Sequence, residues 1–337
     1  MTEIKKGIYS TSLIVAPFII IFASLLLGRY PLEPATVIAV ILNKIGMMHV
    51  AVPDTAATVV WDIRLPRALL GALVGASLAV SGAAFQGVFR NPLVSSSILG
   101  VSPGAGFGAA LAILLFGNGF MIYISAFGFG VLAVILSYFI GRKYNTTTTV
   151  MLVLGGTIVS SVFSALTSLV KYMADPYDQL PKIVFWLMGS LASASYKDIM
   201  IAGIPMSIGI VGLLLIRWRI NVLSMGEKEA KALGVNVRFL QGILVFCATL
   251  ATAGAVCVSG VIGWVGLIIP HISRMLVGTD NRLLIPTSIS LGACYLVFVD
   301  NLSRSLTGSE IPLGILTAII GAPFFVYLLK RKVGGWS

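Results

Sequence analysis

An all-α membrane protein with about ten spanning helices is the fold class this sequence predicts. Three observations carry that reading. Of the 337 residues, 58% are hydrophobic and only 10% charged, where a soluble domain has roughly 25% charged residues. Mean hydropathy is +1.01. Ten apolar runs come close to the ~20 residues needed to cross hydrocarbon. No Gly-Ser or Pro-rich linker divides the chain, so residues 1–337 read as one transmembrane domain.

Taken in order, the runs are 12–28, 66–85, 95–116, 120–140, 150–170, 199–216, 239–258, 261–277, 284–299 and 312–329. Lys5 and Lys6 precede the first, and no small-residue cleavage site follows it, so it reads as a retained span. Residues 239–269 are too long for one untilted helix, and Ser259-Gly260 is the natural break. Pro270 should kink or end the eighth helix. Between spans lie two long segments, 29–65 and 172–198. The second contains an apolar stretch at 183–189, too short to cross and expected to lie as a helix at the outer interface. Gly71 and Gly75, and Gly100, Gly104 and Gly108, have the small-xxx-small spacing that lets helices pack closely in lipid. Cys247, Cys257 and Cys294 fall inside apolar runs and read as small buried hydrophobes.

An even number of spans puts both termini on one side. Placing them in the cytoplasm leaves 15 of the 23 Lys and Arg residues there, among them Arg142, Lys143, Arg217, Arg219 and Lys330. The positive-inside rule favours that orientation, and it also accounts for the net charge of +11 without a nucleic-acid partner.

One polar island, residues 224–237, interrupts the apolar pattern on the cytoplasmic side. Ser224 and Glu227 have the spacing of a capping box. Glu227 and Glu229 suit the start of a helix and Lys231 its end. Gly234 permits the left-handed turn that stops one. Two turns alone in water are marginal. The segment therefore has the form of a docking element, or of an ordinary capped connector.

Several function classes are disfavoured. None of the twelve acidic residues lies in the middle of an apolar run, whereas ion-coupled carriers bury a titratable group at membrane depth. The chain has no G-x-x-x-x-G-K-[ST] loop with which to hold ATP, no nucleophile–base pair and no metal-ligand spacing around His49 or His271.

A set of motifs then points to a family. Arg64-Leu-Pro-Arg67, Leu78-Ala-Val-Ser-Gly82, Gln86, Arg90-Asn-Pro-Leu93, Leu99-Gly100 and Gly104-Ala105 together resemble the FecCD/BtuC-type permeases of type II ABC importers. So do Trp186–Leu191, Gly226-Glu-x-x-Ala230-x-x-Leu-Gly234, Gly263–His271, Glu310–Gly314 and Gly321–Pro323. The similarity runs from about residue 60 to 330.

The resemblance implies a BtuC-like ten-helix subunit that works as a homodimer in the cytoplasmic membrane of a bacterium or archaeon. Its partners would be two ATPase subunits inside and a substrate-binding protein outside. The chain itself would be no enzyme and would bind no cofactor, ATP-Mg residing on the ATPase. Ser224, Gly226, Glu227, Ala230, Leu233 and Gly234 map onto the family's ATPase-coupling segment, with Glu227, Ala230 and Leu233 facing the ATPase. Arg64, Arg67 and Arg304 match arginines that pair with acidic residues of the binding protein. Asn145, Thr146 and Thr147 fall where the family narrows its cytoplasmic exit. The family's cargoes are iron–siderophores, haem and cobalamin, and in some members oxyanions such as molybdate; iron chelate is the default by frequency. The alternative is a secondary transporter or facilitator acting without an ATPase.

Overall fold

The computed structural model describes residues 3–143, 146–147 and 149–332. Ten helices account for the ten predicted runs: α1 (Glu3–Leu26), α4 (Leu65–Phe89), α5 (Val101–Leu115), α6 (Gly119–Gly141), α7 (Thr149–Met173), α9 (Tyr196–Met225), α11 (Val237–Ser259), α12 (Val265–Val277), α13 (Asn281–Ser305) and α14 (Leu313–Lys332). Four short helices join them: α2 (Pro34–Lys44), α3 (Asp54–Ala57), α8 (Gln179–Met188) and α10 (Glu227–Ala232). Strands β1 (Arg142–Lys143) and β2 (Thr146–Thr147) pair antiparallel between α6 and α7.

The centre of the bundle is α4. It packs against α1, α9, α11, α12 and α13 and is buried along nearly its whole length. Its sequence permits this, because small residues occur on every side of it. At Gly75 an added Cβ would run into the carbonyl oxygen of Gly292 on α13, and at Gly82 into that of Gly266 on α12. The Gly100 ladder works the same way for α5 and α6. A Cβ at Gly104 would sit 2.5 Å from the Phe129 carbonyl oxygen, and one at Gly108 would meet that of Ser125. Without a hydrophobic force between helices in lipid, such close approach is how dispersion holds them together.

Three expectations need correction. The segment 29–65 is not a loop. Residues Asp54–Phe89 form one continuous helix, with a π-helical stretch at Thr58–Arg64 where the Leu65 N–H reaches back to Val60. Pro66 has no N–H and its ring crowds the preceding turn, which breaks α-helical pairing just there. A proline that reads as a helix start is in fact a register change within a longer helix. Second, of the two outcomes expected at Pro270, an end to the helix is excluded, since α12 runs on to Val277. Third, the runs 95–116 and 261–277 are helical only in part. At 15 and 13 residues, α5 and α12 are about 22 and 20 Å long by the 1.5 Å rise, short of the ~30 Å hydrocarbon thickness.

The break at Ser259 is as expected, with Gly260 at φ +68. The apolar stretch at 183–189 does form a helix, α8. Ile183 on it is fully buried against Ala110, Ile113 and Val170, so α8 is seated on the ends of α5 and α7. Cys247 and Cys257 are buried and Cys294 half-buried, all with free thiols.

Candidate functional site

At one end of the bundle α9 runs to Met225, then Gly226 at φ +132 turns the chain into α10. A Cβ at Gly226 would collide with the Glu229 carboxylate. Beyond α10, Gly234 adopts φ +74 and Asn236 caps α11 by accepting from the Phe239 N–H at 3.1 Å. The short helix is thus held by a glycine turn at each end.

The capping box is not there. Ser224 lies inside α9 and donates to the Asn221 carbonyl oxygen at 2.7 Å, and Gly226 stands at the N-cap of α10. Because α9 continues through Met225, Ser224 has helical surroundings rather than the extended backbone of a cap. The Glu227 side chain lies outside the described residues. Ala230 does not face outward either: it is 0% exposed and belongs to the core formed with α4, α9 and α11. The exposed face of α10 and its turn includes Lys228, Glu229, Lys231 and Leu233, the last 62% exposed.

At the opposite end the three arginines are buried. Arg64, Arg67 and Arg304 are 4%, 6% and 8% exposed. Arg67 donates from Nε and Nη2 to both oxygens of Asp300, and from Nη1 and Nη2 to Glu310 at 2.7 and 2.9 Å. Arg64 donates to the Leu25 and Tyr30 carbonyl oxygens. Arg304 donates to Asn301 and to Ser24, whose hydroxyl in turn donates to Asn301. These guanidiniums tie α1, α4 and α13 together. Positive charge on that side forms an internal clasp. Outside the membrane segments, the hydrogen bond from Arg67 holds the Glu310 carboxyl below its ordinary range.

Of the exit residues, Asn145 lies outside the described residues. Thr146 and Thr147 form β2 opposite Lys143 and Arg142, and their side chains are likewise outside the description.

Besides a cavity of about 720 Å³ beside α8, two more open between the helices. One of about 700 Å³ opens beside α10, between Gln86, Arg90, His271, Arg274 and Asn281. The other, of about 510 Å³, lies between the N-terminus of α5, the N-terminus of α12 and one face of α7. Ser95, Ser96 and Ser97 line it, and the Gln86 amide bridges the chain just before them to α12 by donating to the Val94 and Gly266 carbonyl oxygens. No reading of the sequence singled out Ser95-Ser96-Ser97 as part of a site. Its only signal was three hydroxyls in an otherwise apolar run. Among the described residues, no three of His, Cys, Asp and Glu gather where they could share a metal ion.

A search of known proteins places this architecture. The sequence model described as the FecCD transport family matches residues 15–331. The chain belongs to the FecCD transport family. This FecCD chain is 44% identical over 320 residues to the molybdate import system permease protein MolB of Haemophilus influenzae, covering 93% of each. It is 40% identical over 291 residues to a probable iron chelatin transport system permease protein of Helicobacter pylori, covering 86% of this chain and 88% of that one. It is 42% identical to a cobalamin import system permease protein of Halobacterium salinarum, covering 85% and 77%. Among solved structures, an inward-facing putative metal-chelate type ABC transporter superposes with a TM-score of 0.85 at 41% identity, covering 95% of this chain and 98% of that one. The FecCD chain is a multi-pass membrane permease.

Proposed function

We propose that two copies of this FecCD permease form the conduit of an ATP-driven importer for a metal chelate or a metal oxyanion. Two ATPase subunits, which carry the ATP and Mg²⁺, grip α10 from the cytoplasm. A binding protein delivers cargo at the opposite end. The Lys and Arg distribution supports this orientation, with α10 inside. The cargoes for which the relatives are named, molybdate, iron chelatin and cobalamin, support the substrate range.

The observation that carries the proposal is the construction of α10. A six-residue helix has no stability of its own, yet this one is pinned at Ala230, turned by a glycine on either side, and offers Leu233 outward. A rigid lug of that kind transmits a push from a partner to α9 and α11, between which it sits.

The test is co-expression with the candidate ATPase and reconstitution into liposomes. Stable co-purification and uptake that requires ATP hydrolysis are expected. Uptake driven by an ion gradient in vesicles lacking the ATPase would overturn the proposal in favour of a carrier acting alone.

A further inference from the structure

The cavity beside α10 gathers positive charge that the chain itself does not balance. It opens where α4, α9 and α12 end and α13 begins. Arg90 and Arg274 line it, and no Asp or Glu does. Neither arginine makes an ion pair with a described residue. Arg90 Nη1 and the Glu229 carboxylate both flank Gly226, but they do not pair. Arg274 donates from Nη2 to the Gln86 side-chain oxygen, and its Nη1 is buried with no partner among the described residues. A guanidinium stays protonated in a protein. It cannot escape the cost of burial by neutralising, as a carboxyl or an amine can, so only a nearby anion offsets that cost. Asn91 adds a neutral donor, since its side-chain oxygen accepts from the Leu93 N–H and its amide nitrogen is left to donate.

A second, independent observation says where the anion comes from. The surface beside the cavity has the make-up of a membrane–water boundary. Trp218 on α9 is 51% exposed, and the Arg282 guanidinium lies over its ring at 5.8 Å. Exposed tryptophan on a spanning helix marks the headgroup layer. Met275, which lines the cavity, is exposed, as are Leu276 and Leu283 on either side of the turn between α12 and α13. Unpaired cations and an apolar surface therefore adjoin. A free phosphate or a partner's carboxylate would use only the cations. A phospholipid uses both, with its phosphate among the arginines and its acyl chains along Met275, Leu276 and Leu283.

We propose that this cavity binds the headgroup of an anionic phospholipid, with Arg90 and Arg274 supplying the charge that selects it. Basic pockets between spanning helices hold anionic headgroups in this way, and about 700 Å³ is ample for one. The site rests on the chain spanning a membrane and not on its being part of an importer, so the two readings fail separately.

The experiment is native mass spectrometry of the full chain in a neutral detergent, titrated with phosphatidylglycerol or with zwitterionic phosphatidylcholine. Wild type holds one phosphatidylglycerol per chain, at least tenfold more tightly than phosphatidylcholine. Arg274→Gln and Arg90→Asn each lower that preference about fivefold, the worth of one Lys or Arg beside an anionic lipid. Asparagine tolerates the left-handed backbone that Arg90 adopts at φ +48, so Arg90→Asn tests the charge without straining the fold. Arg274→Lys keeps the charge and keeps the preference. Lys44→Gln, exposed at the other end of the bundle, leaves it unchanged. Equal retention of the two lipids by wild type, or an undiminished preference in the Arg90→Asn, Arg274→Gln double variant, overturns the site. Displacement of the lipid by millimolar sodium phosphate would assign the cavity to free phosphate and overturn the lipid. Loss of the lipid when the ATPase is added would assign it to a partner's acidic side chain and overturn it too, and retention in both additions is the expected result.

Discussion

Arg67 and Asp300 lie 233 residues apart in sequence and meet as a two-pronged ion pair, Nε to Oδ2 at 2.9 Å and Nη2 to Oδ1 at 2.8 Å, with both side chains buried. The pair joins the start of α4 to the end of α13. Glu310 completes it from the following loop, so one guanidinium satisfies two carboxylates. Breaking a buried pair from one side leaves an uncompensated charge and costs about 3–5 kcal/mol. Arg67→Ala strands the nearly inaccessible Asp300 and should reach that range. Asp300→Asn keeps an acceptor for Arg67 and leaves Glu310 in place, so the loss should be about 1–3 kcal/mol. Thermal unfolding in detergent, followed by tryptophan fluorescence, gives the order. An Arg67→Ala protein as stable as wild type would show that the clasp contributes nothing.

The helix crossings make a sharper contrast. Gly82 faces the backbone carbonyl oxygen of Gly266, and no movement of a side chain can make room for a Cβ there. Gly82→Ala should force α4 and α12 apart and greatly lower the yield of folded protein. Gly242 on α11 has open space where a Cβ would go. Gly242→Ala should be neutral or stabilise by about 0.5–1 kcal/mol, since alanine loses less entropy in a helix. Monodispersity by size-exclusion chromatography separates the two. Equal yields would mean that the crossing is looser than the structure has it.

The ten helices were legible because twenty apolar residues in a row have few other uses, and the Gly75 and Gly104 ladders because lipid rewards small residues at four-residue spacing. The family motifs also located α10. What could not be read were relations between distant residues. Arg64, Arg67 and Arg304 look like exposed cations in a one-dimensional view, because Asp300 and Glu310 approach Arg67 only after α13 has packed against α4. Pro66 misled in the same local way, since proline marks helix starts more often than π-helical register changes. Ser96 carried no signal at all. It lines a cavity where α5 and α12 begin, and that is a property of the packed chain.

The clasp also predicts a dependence on pH. Hydrogen bonding from Arg67 depresses the Glu310 carboxyl below its ordinary value of 4.5. A depressed folded-state value means that ionised Glu310 stabilises the fold above the unfolded-state value, and that this contribution is lost as pH falls through the folded one. Unfolding temperature should therefore drop as the protein is acidified below about pH 4.5. Glu310→Gln should start lower at pH 7 and show a smaller acid-dependent fall. Parallel curves for the two proteins between pH 7 and pH 3 would remove Glu310 as a contributor.

The last prediction separates anchoring from coupling on α10. Ala230 points into the bundle and Leu233 away from it, although they lie on the same short helix and its turn. Leu233→Asp places a charge on an exposed position, where surface substitutions change stability by less than about 0.5 kcal/mol. The fold should be untouched, and only the contact with a partner should suffer, because a desolvated carboxylate without a counter-ion costs several kcal/mol at an interface. Co-purification of the ATPase should fall at least tenfold, with transport lost in step, while the unfolding temperature of the isolated permease stays the same. Ala230→Leu should do the reverse. It overfills a closed core at a cost of about 1–3 kcal/mol, tilts the helix and lowers the stability of the permease itself. Transport at wild-type rate in Leu233→Asp, with the ATPase still bound, would show that force enters this permease somewhere other than α10.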